Sequence, residues 1–169
     1  MDLEGYLEAN TTNIIQERIH SLFIEIICDN LDKIGIKPPY KIFKEVRLKN
    51  FKKSKPEEDY EPKNPRLINK EFYRQSDLII LNSDLYIIEA KVIRTINHEK
   101  KESDKIREIR KQLSAAYAFF NGNFKDSPKF PPVLIGAYQR LNSNNFYFYR
   151  QNPDGSAPNS LEISKVSRL

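Results

Sequence analysis

The sequence has few of the residues that build disulfides and zinc sites, with one cysteine and two histidines in 169 residues. A single cysteine cannot form an intrachain disulfide, and no Cys/His cluster has the spacing of a structural zinc site. The chain starts without a basic and apolar leader, and no apolar run approaches the ~20 residues needed to span a bilayer. We therefore expect an intracellular, cytoplasmic protein with no membrane partner.

The sequence is rich in charged residues. Charged residues make up 30% of the chain, and 28 Lys plus Arg against 23 Asp plus Glu leave a net charge of +5. This excess favours an anionic partner, with nucleic acid as the leading candidate, although the same charge can merely keep a protein dispersed. The length suits one compact core. We expect a single domain over residues 1–169, with its core at about 13–150.

Two segments carry apolar residues at the spacing of an α-helix. Residues 13–34 form the first segment, where Thr12 or Asn13 can cap the start and Gly35 can take the left-handed conformation at the end. The second segment covers residues 106–120 and is followed by an Asn-Gly pair that favours a stop. The sequence therefore predicts two long helices.

The remaining patterns predict strands and loops. Residues 49–65 are polar and contain three prolines, which is typical of a mobile surface loop, and residues 152–169 have the composition of a loop-like tail. Alternating or continuous apolar patterns predict strands at residues 40–48, 77–81, 85–91, 133–138 and 146–150. The predicted order of elements is therefore α, β, β, β, α, β, β, which belongs to the α/β class.

The second and third predicted strands are separated by three turn-forming residues and are expected to form a β-hairpin. If the hairpin turns about Ser83, paired residue numbers sum to 166 and Asp77 lies across from Glu89, with Cβ atoms about 4.5 to 5.5 Å apart. Lys91 follows two residues later and projects from the same face, because side chains in a strand alternate. A register shifted by one residue would break this arrangement.

Two carboxylates at that distance repel each other unless a cation lies between them. Without cysteine or histidine ligands, the expected ion is a hard, oxygen-seeking one such as Mg²⁺, for which Mn²⁺ can substitute. Such an ion and a nearby lysine suit the hydrolysis of a phosphodiester bond. The alternative is a hairpin whose charges only face water, but the apolar run over residues 85–88 indicates a strand buried on both faces.

The sequences SDLII at residues 76–80 and YIIEAK at residues 86–91 resemble the core of the PD-(D/E)xK nuclease superfamily, which includes restriction endonucleases and Holliday-junction resolvases. The resemblance implies a restriction-endonuclease-like αβββαβ core, a central mixed sheet flanked by helices, from the first helix to the strand at Val133. It implies that Asp77, Glu89 and the backbone carbonyl of Ala90 bind the metal, and that Lys91 is the catalytic lysine. Serine precedes Asp77 where the name of the motif has proline.

Two further positions match the family. Glu17 on the first helix is implied to bind a second ion directly or through water, and Gln112 on the second long helix to orient a water or to contact the nucleic-acid backbone. Each can also be an ordinary residue of a helix surface. His20 lies one turn after Glu17, where viral cap-cleaving relatives use a histidine, but we leave it out because a solvent-facing or packed histidine is more common.

Together these features predict a Mg²⁺-dependent endonuclease, with DNA favoured over RNA as substrate. The alternatives are an RNA endonuclease, or a nucleic-acid-binding or assembly module that keeps the fold without turnover. A homodimer is compatible with the prediction, because two-strand cleavage with one site per chain is easiest for a two-fold dimer. The candidate phosphate-binding residues are Lys49, Lys52, Lys53 and Lys55 in the loop and Lys105, Arg107, Arg110 and Lys111 on the second helix.

Overall fold

The computed structural model describes residues 2–12, 18–49, 73–93, 98–140, 145–152 and 164–167. These residues form four helices and one six-stranded sheet, in which the strands follow the order of the chain. The elements are α1 Leu3–Asn10, α2 Arg18–Asp29, α3 Leu31–Ile34, β1 Lys41–Lys49, β2 Tyr73–Leu81, β3 Leu85–Ile93, α4 His98–Phe124, β4 Val133–Arg140, β5 Asn145–Gln151 and β6 Ser164–Ser167.

The fold is α/β, as the order of elements predicted, and its sheet is mixed, as the resemblance implied. Strands β3 and β4 run parallel, and every other neighbouring pair is antiparallel. Parallel neighbours need a long crossover connection, and α4 lies in the connection between β3 and β4. From α2 to β4 the described residues therefore form helical segments, three strands, a helix and a strand. Among the described helices, none is both long and apolar enough to cross a bilayer.

Apolar side chains pack on both faces of the sheet. One cluster lies against α1 and α4 and includes Leu7, Ile109 and Phe120, each fully buried. The other cluster lies against α2 and α3 and includes Phe23 and Leu31. The sheet is thus a layer between two sets of helices. Its central strand β3 is buried on both faces, which explains the continuous apolar run in its sequence.

The predicted helix over residues 13–34 was wrong as a single element. Residues 13–17 lie outside the described part, and α2 ends at Asp29 before the short α3. Asn30 separates the two helices: its side-chain Nδ2 donates to the carbonyl of Ile26 at 2.7 Å, and its backbone N–H donates to the carbonyl of Ile27 at 3.0 Å. Asparagine competes in this way with regular helical bonding. Gly35 ends α3 in the left-handed conformation, as predicted, with φ 94°.

The sequence did not predict α1. Asp2 caps this helix by accepting a hydrogen bond from the backbone N–H of Gly5 at 2.7 Å. Leu3 and Leu7 enter the core, so the core begins before residue 13. Eight residues that include a glycine are too few for a helical period to stand out, and α1 is held mainly by its packing on the sheet.

Other boundaries also differ from the prediction. Helix α4 begins at residue 98 and passes through its Asn-Gly pair to Phe124, whose ring centroid lies 5.4 Å from that of Tyr6 and 6.0 Å from that of Phe120. The tail contains β6, which pairs with β5 and covers an edge that would otherwise be open. Strand β2 begins at Tyr73, β4 and β5 are longer than predicted, and Lys49 ends β1 rather than belonging to a loop. The remainder of the predicted loop, residues 50–65, lies outside the described residues.

Candidate metal centre

The hairpin of β2 and β3 has the register that the sequence predicted. The pairs run from Leu81 with Leu85 to Leu78 with Ile88, and each pair sums to 166. The pairing ends there, one position before Asp77 and Glu89. Instead, the Oδ2 atom of Asp77 accepts a hydrogen bond from the backbone N–H of Ala90 at 2.8 Å. At this point of the sheet the Asp77 side chain, and not the backbone of β2, is the acceptor for β3.

The neighbouring strand β1 is distorted at Glu45. This residue has φ 52°, in the left-handed region that favours glycine. Phe43 and Val46 pack in the same apolar cluster, although regular alternation would put them on opposite faces. The alternation of β1 therefore shifts by one residue at Glu45. Thr12 holds this backbone in place, because its N–H and its Oγ1 both donate to the Glu45 carbonyl, at 3.2 Å and 3.1 Å.

The distortion brings three ligand-bearing side chains together. His20 Nε2, from α2, lies 3.3 Å from Asp77 Oδ1 and 3.9 Å from Glu45 Oε1. One ligand atom from each residue lies within 4.8 Å of the others. Glu45 is only 6% exposed, so its carboxylate has little access to water. A cation between these three groups would neutralise the negative charge of the two carboxylates.

Glu89 is a neighbour of Asp77 but has other partners. Its side chain is 3% exposed, and its Oε1 accepts a hydrogen bond from Ser76 Oγ at 3.0 Å. Burial, and then the nearby Asp77 carboxylate, raise the pKa of Glu89 well above its ordinary value. Glu89 also lines a cavity next to Gln112 of α4. Asp77 therefore contacts the α2 side of the sheet, whereas Glu89 extends towards α4, and the two carboxyl groups still interact.

Lys91 follows Glu89 on the same face of β3. Its Nζ lies 3.9 Å from Glu108 Oε2 on α4, and 28% of its side chain is exposed. Lys105 lies 3.5 Å from the same oxygen. The separation of Lys91 from Glu108 is close to the longest distance that counts as an ion pair. The Lys91 ammonium therefore still has N–H donors for another acceptor.

The structure brings Asp77, Glu89, Ala90 and Lys91 to one region of the sheet, with Gln112 beside it. Glu17, Lys52, Lys53 and Lys55 lie outside the described residues, so their predicted roles stay predictions. On α4, Arg107 and Lys111 are exposed to solvent and Lys105 is paired with Glu108. Arg110 differs from these, because its Nε is buried with no hydrogen-bond partner among the described residues.

Sequence reasoning missed two members of this region, His20 and Glu45. His20 was set aside as a packed or solvent-facing residue, yet it contacts Asp77. Its position one turn before the buried Phe23 and Ile24 was a usable signal. For Glu45 the signal lay in the apolar residues of β1. Phe43 before it and Val46 and Leu48 after it do not fit one regular alternation, which indicates an irregularity between them.

The burial of Glu45 and the contact of His20 with Asp77 both favour the protonated forms of these groups, as the directions of their pKa shifts show. Burial, and then the Asp77 carboxylate, raise the pKa of Glu45 to about 7. The hydrogen bond to Asp77 is the main cause that raises the pKa of His20. Both shifts mean that the region binds protons more tightly than the unfolded chain does. A divalent cation would compete with those protons for the same atoms.

This proton binding predicts how stability changes with pH when no divalent cation is present. The unfolded chain loses the Glu45 proton near pH 4.5, whereas the folded chain keeps it to about pH 7. The folded state therefore binds more protons over this window, so the free energy of unfolding should fall as pH rises through it. The raised pKa of His20 adds a further loss of stability at the upper end of this pH window.

The measurement is urea unfolding in EDTA across this pH range, comparing the wild type with Glu45→Gln. The difference between the two proteins reports Glu45 together with its interactions with Asp77 and His20, and cancels the titrating groups that do not interact with it. We expect the wild type to lose stability relative to the variant as pH rises. A constant difference would contradict a raised pKa at Glu45.

The backbone of Glu45 allows a second stability test. In a regular strand, glycine is about 0.5 to 1 kcal/mol less stable than alanine. At a positive φ the order should reverse, so Glu45→Gly should be about 1 kcal/mol more stable than Glu45→Ala. Lys44→Gly and Lys44→Ala are the matched control pair, one residue away in β1, and should keep the normal order. Thermal unfolding in EDTA measures all four. A less stable Glu45→Gly would show that the left-handed backbone is not present in solution.

Comparisons of the chain with models of known protein families, with curated proteins and with solved structures found no match.

Proposed function

We propose that this chain is a metal-dependent nuclease that hydrolyses phosphodiester bonds, with DNA as the favoured substrate. The observation that carries the proposal is the meeting of Glu45, Asp77 and Glu89 with His20 and Lys91 at the distorted junction of β1, β2 and β3. Three carboxylates with little access to water favour the binding of a cation. The lysine beside them can donate hydrogen bonds to an anionic substrate.

The fold supports the same proposal. Helical residues, three strands, a helix and a strand follow each other from α2 to β4, in a mixed sheet with helices on both faces. This is the order expected for a restriction-endonuclease-like αβββαβ core. The acidic residues lie on β2 and β3, where the resemblance to PD-(D/E)xK nucleases requires them. The assignment of the chain to that superfamily is part of the proposal.

The residues fit a divalent cation by their chemistry. The three clustered ligand atoms are two carboxylate oxygens and one imidazole nitrogen, and Glu89 adds a further carboxylate nearby. Carboxylates suit Mg²⁺ and Mn²⁺, and an imidazole nitrogen favours Mn²⁺ over Mg²⁺. We propose Mg²⁺ as the cofactor because carboxylate oxygens are the majority of the donors, with Mn²⁺ as an effective substitute because of the imidazole. When bound, such an ion polarises a phosphoryl oxygen and lowers the pKa of water.

The side chains of the protein supply orientation and charge. The Lys91 ammonium can donate to a non-bridging phosphate oxygen, where negative charge grows as water attacks phosphorus. Asp77 accepts a hydrogen bond from the Ala90 N–H, and without a cation His20 Nε2 is its second contact, so its carboxylate has little rotational freedom. Ser76 fixes Glu89 in the same way. These contacts hold the acidic groups in position before substrate arrives, which lowers the cost of reorganisation in the reaction.

The experiment is incubation of the full chain with supercoiled plasmid, circular single-stranded DNA and a folded RNA, each in Mg²⁺, Mn²⁺ or EDTA. We expect cleavage of a DNA substrate in either ion and none in EDTA. Circular substrates have no ends, so their cleavage shows endonuclease action. The mass of the protein in solution tests the proposed homodimer, because a dimer can cut both strands of the plasmid together.

The alternatives have distinct outcomes. Cleavage of RNA alone would make the protein an RNA endonuclease with the same chemistry. Binding of nucleic acid without cleavage in either ion would favour a binding or assembly module, and would overturn the proposed catalysis.

A further inference from the structure

The ammonium group of Lys91 shares its carboxylate partner with a second lysine. The Oε2 atom of Glu108, on α4, lies 3.9 Å from the Nζ atom of Lys91 and 3.5 Å from that of Lys105. The side chains of Lys91, Lys105 and Glu108 are 28%, 38% and 50% exposed, so a ligand can reach all three from solvent. One anionic oxygen is therefore held by two accessible cations.

A carboxylate oxygen in this position resembles a phosphate oxygen in its charge. Lysine binds phosphate as a point charge and not through a fixed fork of donors, so either kind of oxygen can accept from the same ammonium group. Lys91 follows Glu89 by two residues on β3, and both side chains extend towards α4. Glu108 therefore contacts the lysine that lies nearest to the acidic residues.

We propose that the Glu108 carboxylate holds the place of a substrate phosphate in the free protein, and that a phosphodiester group of the nucleic acid displaces it from Lys91. The inference deepens the proposed function and rests on it for the identity of the ligand. Glu108 is then an internal competitor that lowers the affinity of the protein for its substrate.

The arrangement on α4 makes this exchange easy. Lys105 precedes Glu108 by three residues, and residues three apart are neighbours on a helix surface. Its contact with Glu108 is the shorter of the two, so the carboxylate keeps a cationic partner when Lys91 turns to a phosphate. Ion pairs at exposed positions are weak, because water and salt screen them. The exchange therefore leaves no buried charge without a partner.

Binding can be measured without cleavage, with the full chain in EDTA and a fluorescent DNA strand of about twelve nucleotides. Glu108→Gln removes the competing charge and keeps the shape of the side chain, so it should bind the strand about threefold more tightly than the wild type. Asp104→Asn is the matched control, because Asp104 is an exposed carboxylate one turn earlier on α4. It changes the net charge equally and should tighten binding by less than about 1.5-fold.

Further variants locate the effect at Lys91. Glu108→Asp keeps the charge but retracts the carboxylate by one carbon, so it should also bind more tightly than the wild type, which a change of net charge cannot explain. In a Lys91→Ala background, Glu108→Gln should gain no more than Asp104→Asn does, because the contested lysine is missing. A strand with an uncharged methylphosphonate backbone should bind the wild type and Glu108→Gln equally.

The results separate this inference from the proposed function. Equal gains in Glu108→Gln and Asp104→Asn, or a full gain in the absence of Lys91, would overturn the competition and leave Glu108 as an ordinary surface ion pair. Cleavage is scored separately in Mg²⁺, where Glu108→Gln should lower KM about threefold. The expected binding pattern without any cleavage would overturn catalysis alone, and cleavage without that pattern would overturn the competition alone. A wild type and variants that bind no strand would overturn both.

Discussion

Asp77→Asn and Glu89→Gln should each reduce metal-dependent cleavage by at least about a thousandfold. Each substitution replaces a carboxyl group at the junction of β2 and β3, which can lose its proton to bind a cation, by an amide of the same shape. The amide oxygen introduced by Asp77→Asn can still accept from the Ala90 N–H, and the one introduced by Glu89→Gln can still accept from Ser76, so the local hydrogen bonds survive. The loss should therefore come from cation binding and from the chemistry, and not from misfolding.

Stability in EDTA distinguishes this explanation from a structural one. Burial and the charge of Asp77 both oppose ionisation of Glu89, so Glu89→Gln should be as stable as the wild type near pH 8, or more stable. Asp104→Asn is the matched control, because Asp104 is an exposed carboxylate on α4, and it should keep wild-type activity. If Glu89→Gln unfolds at a much lower temperature, the carboxylate serves the fold and its place in the metal centre is wrong.

Lys91→Ala should lower the turnover number by about 10² to 10³, with little change in the Mg²⁺ concentration that gives half-maximal activity. The ammonium is proposed to act on charge that develops in the transition state, so its removal should slow the reaction more than it weakens cation binding. The measurement is the initial rate of cleavage over a range of Mg²⁺ and substrate concentrations.

Lys105→Ala provides a close control for this experiment. Lys105 and Lys91 approach the same oxygen of Glu108, at 3.5 Å and 3.9 Å, but only Lys91 belongs to the strand that carries Glu89. An effect of unpairing Glu108 should therefore lower the turnover number of both variants, whereas a direct role in catalysis should lower that of Lys91→Ala alone. Wild-type turnover in Lys91→Ala would remove the lysine from the mechanism.

Several elements of the fold could be predicted because their signals are local. The turn between β2 and β3 and the apolar runs on either side determine a register, and that register is confirmed for four pairs. Gly35 ends a helix at the predicted position, because glycine adopts the left-handed conformation without steric cost.

Elements that depend on distant contacts were predicted poorly. The ring of Phe124 packs on Tyr6, which is far away in sequence, and α4 continues past its Asn-Gly pair to reach it. The short α1 and β6 each lie against an element that is already present, β1 in one case and β5 in the other. Short segments carry little periodicity of their own, so their structure follows from the surface on which they pack.

The candidate site shows the same division. The sequence by itself determined that Asp77, Glu89 and Lys91 belong to one hairpin, because spacing along two paired strands is a local property. Only the tertiary structure decided which groups surround Asp77. His20 arrives from α2, and Glu45 arrives through a left-handed residue of β1 that Thr12 holds. Their meeting depends on how a helix packs on a sheet and where a strand departs from regular alternation, and neither is contained in the pattern of one segment.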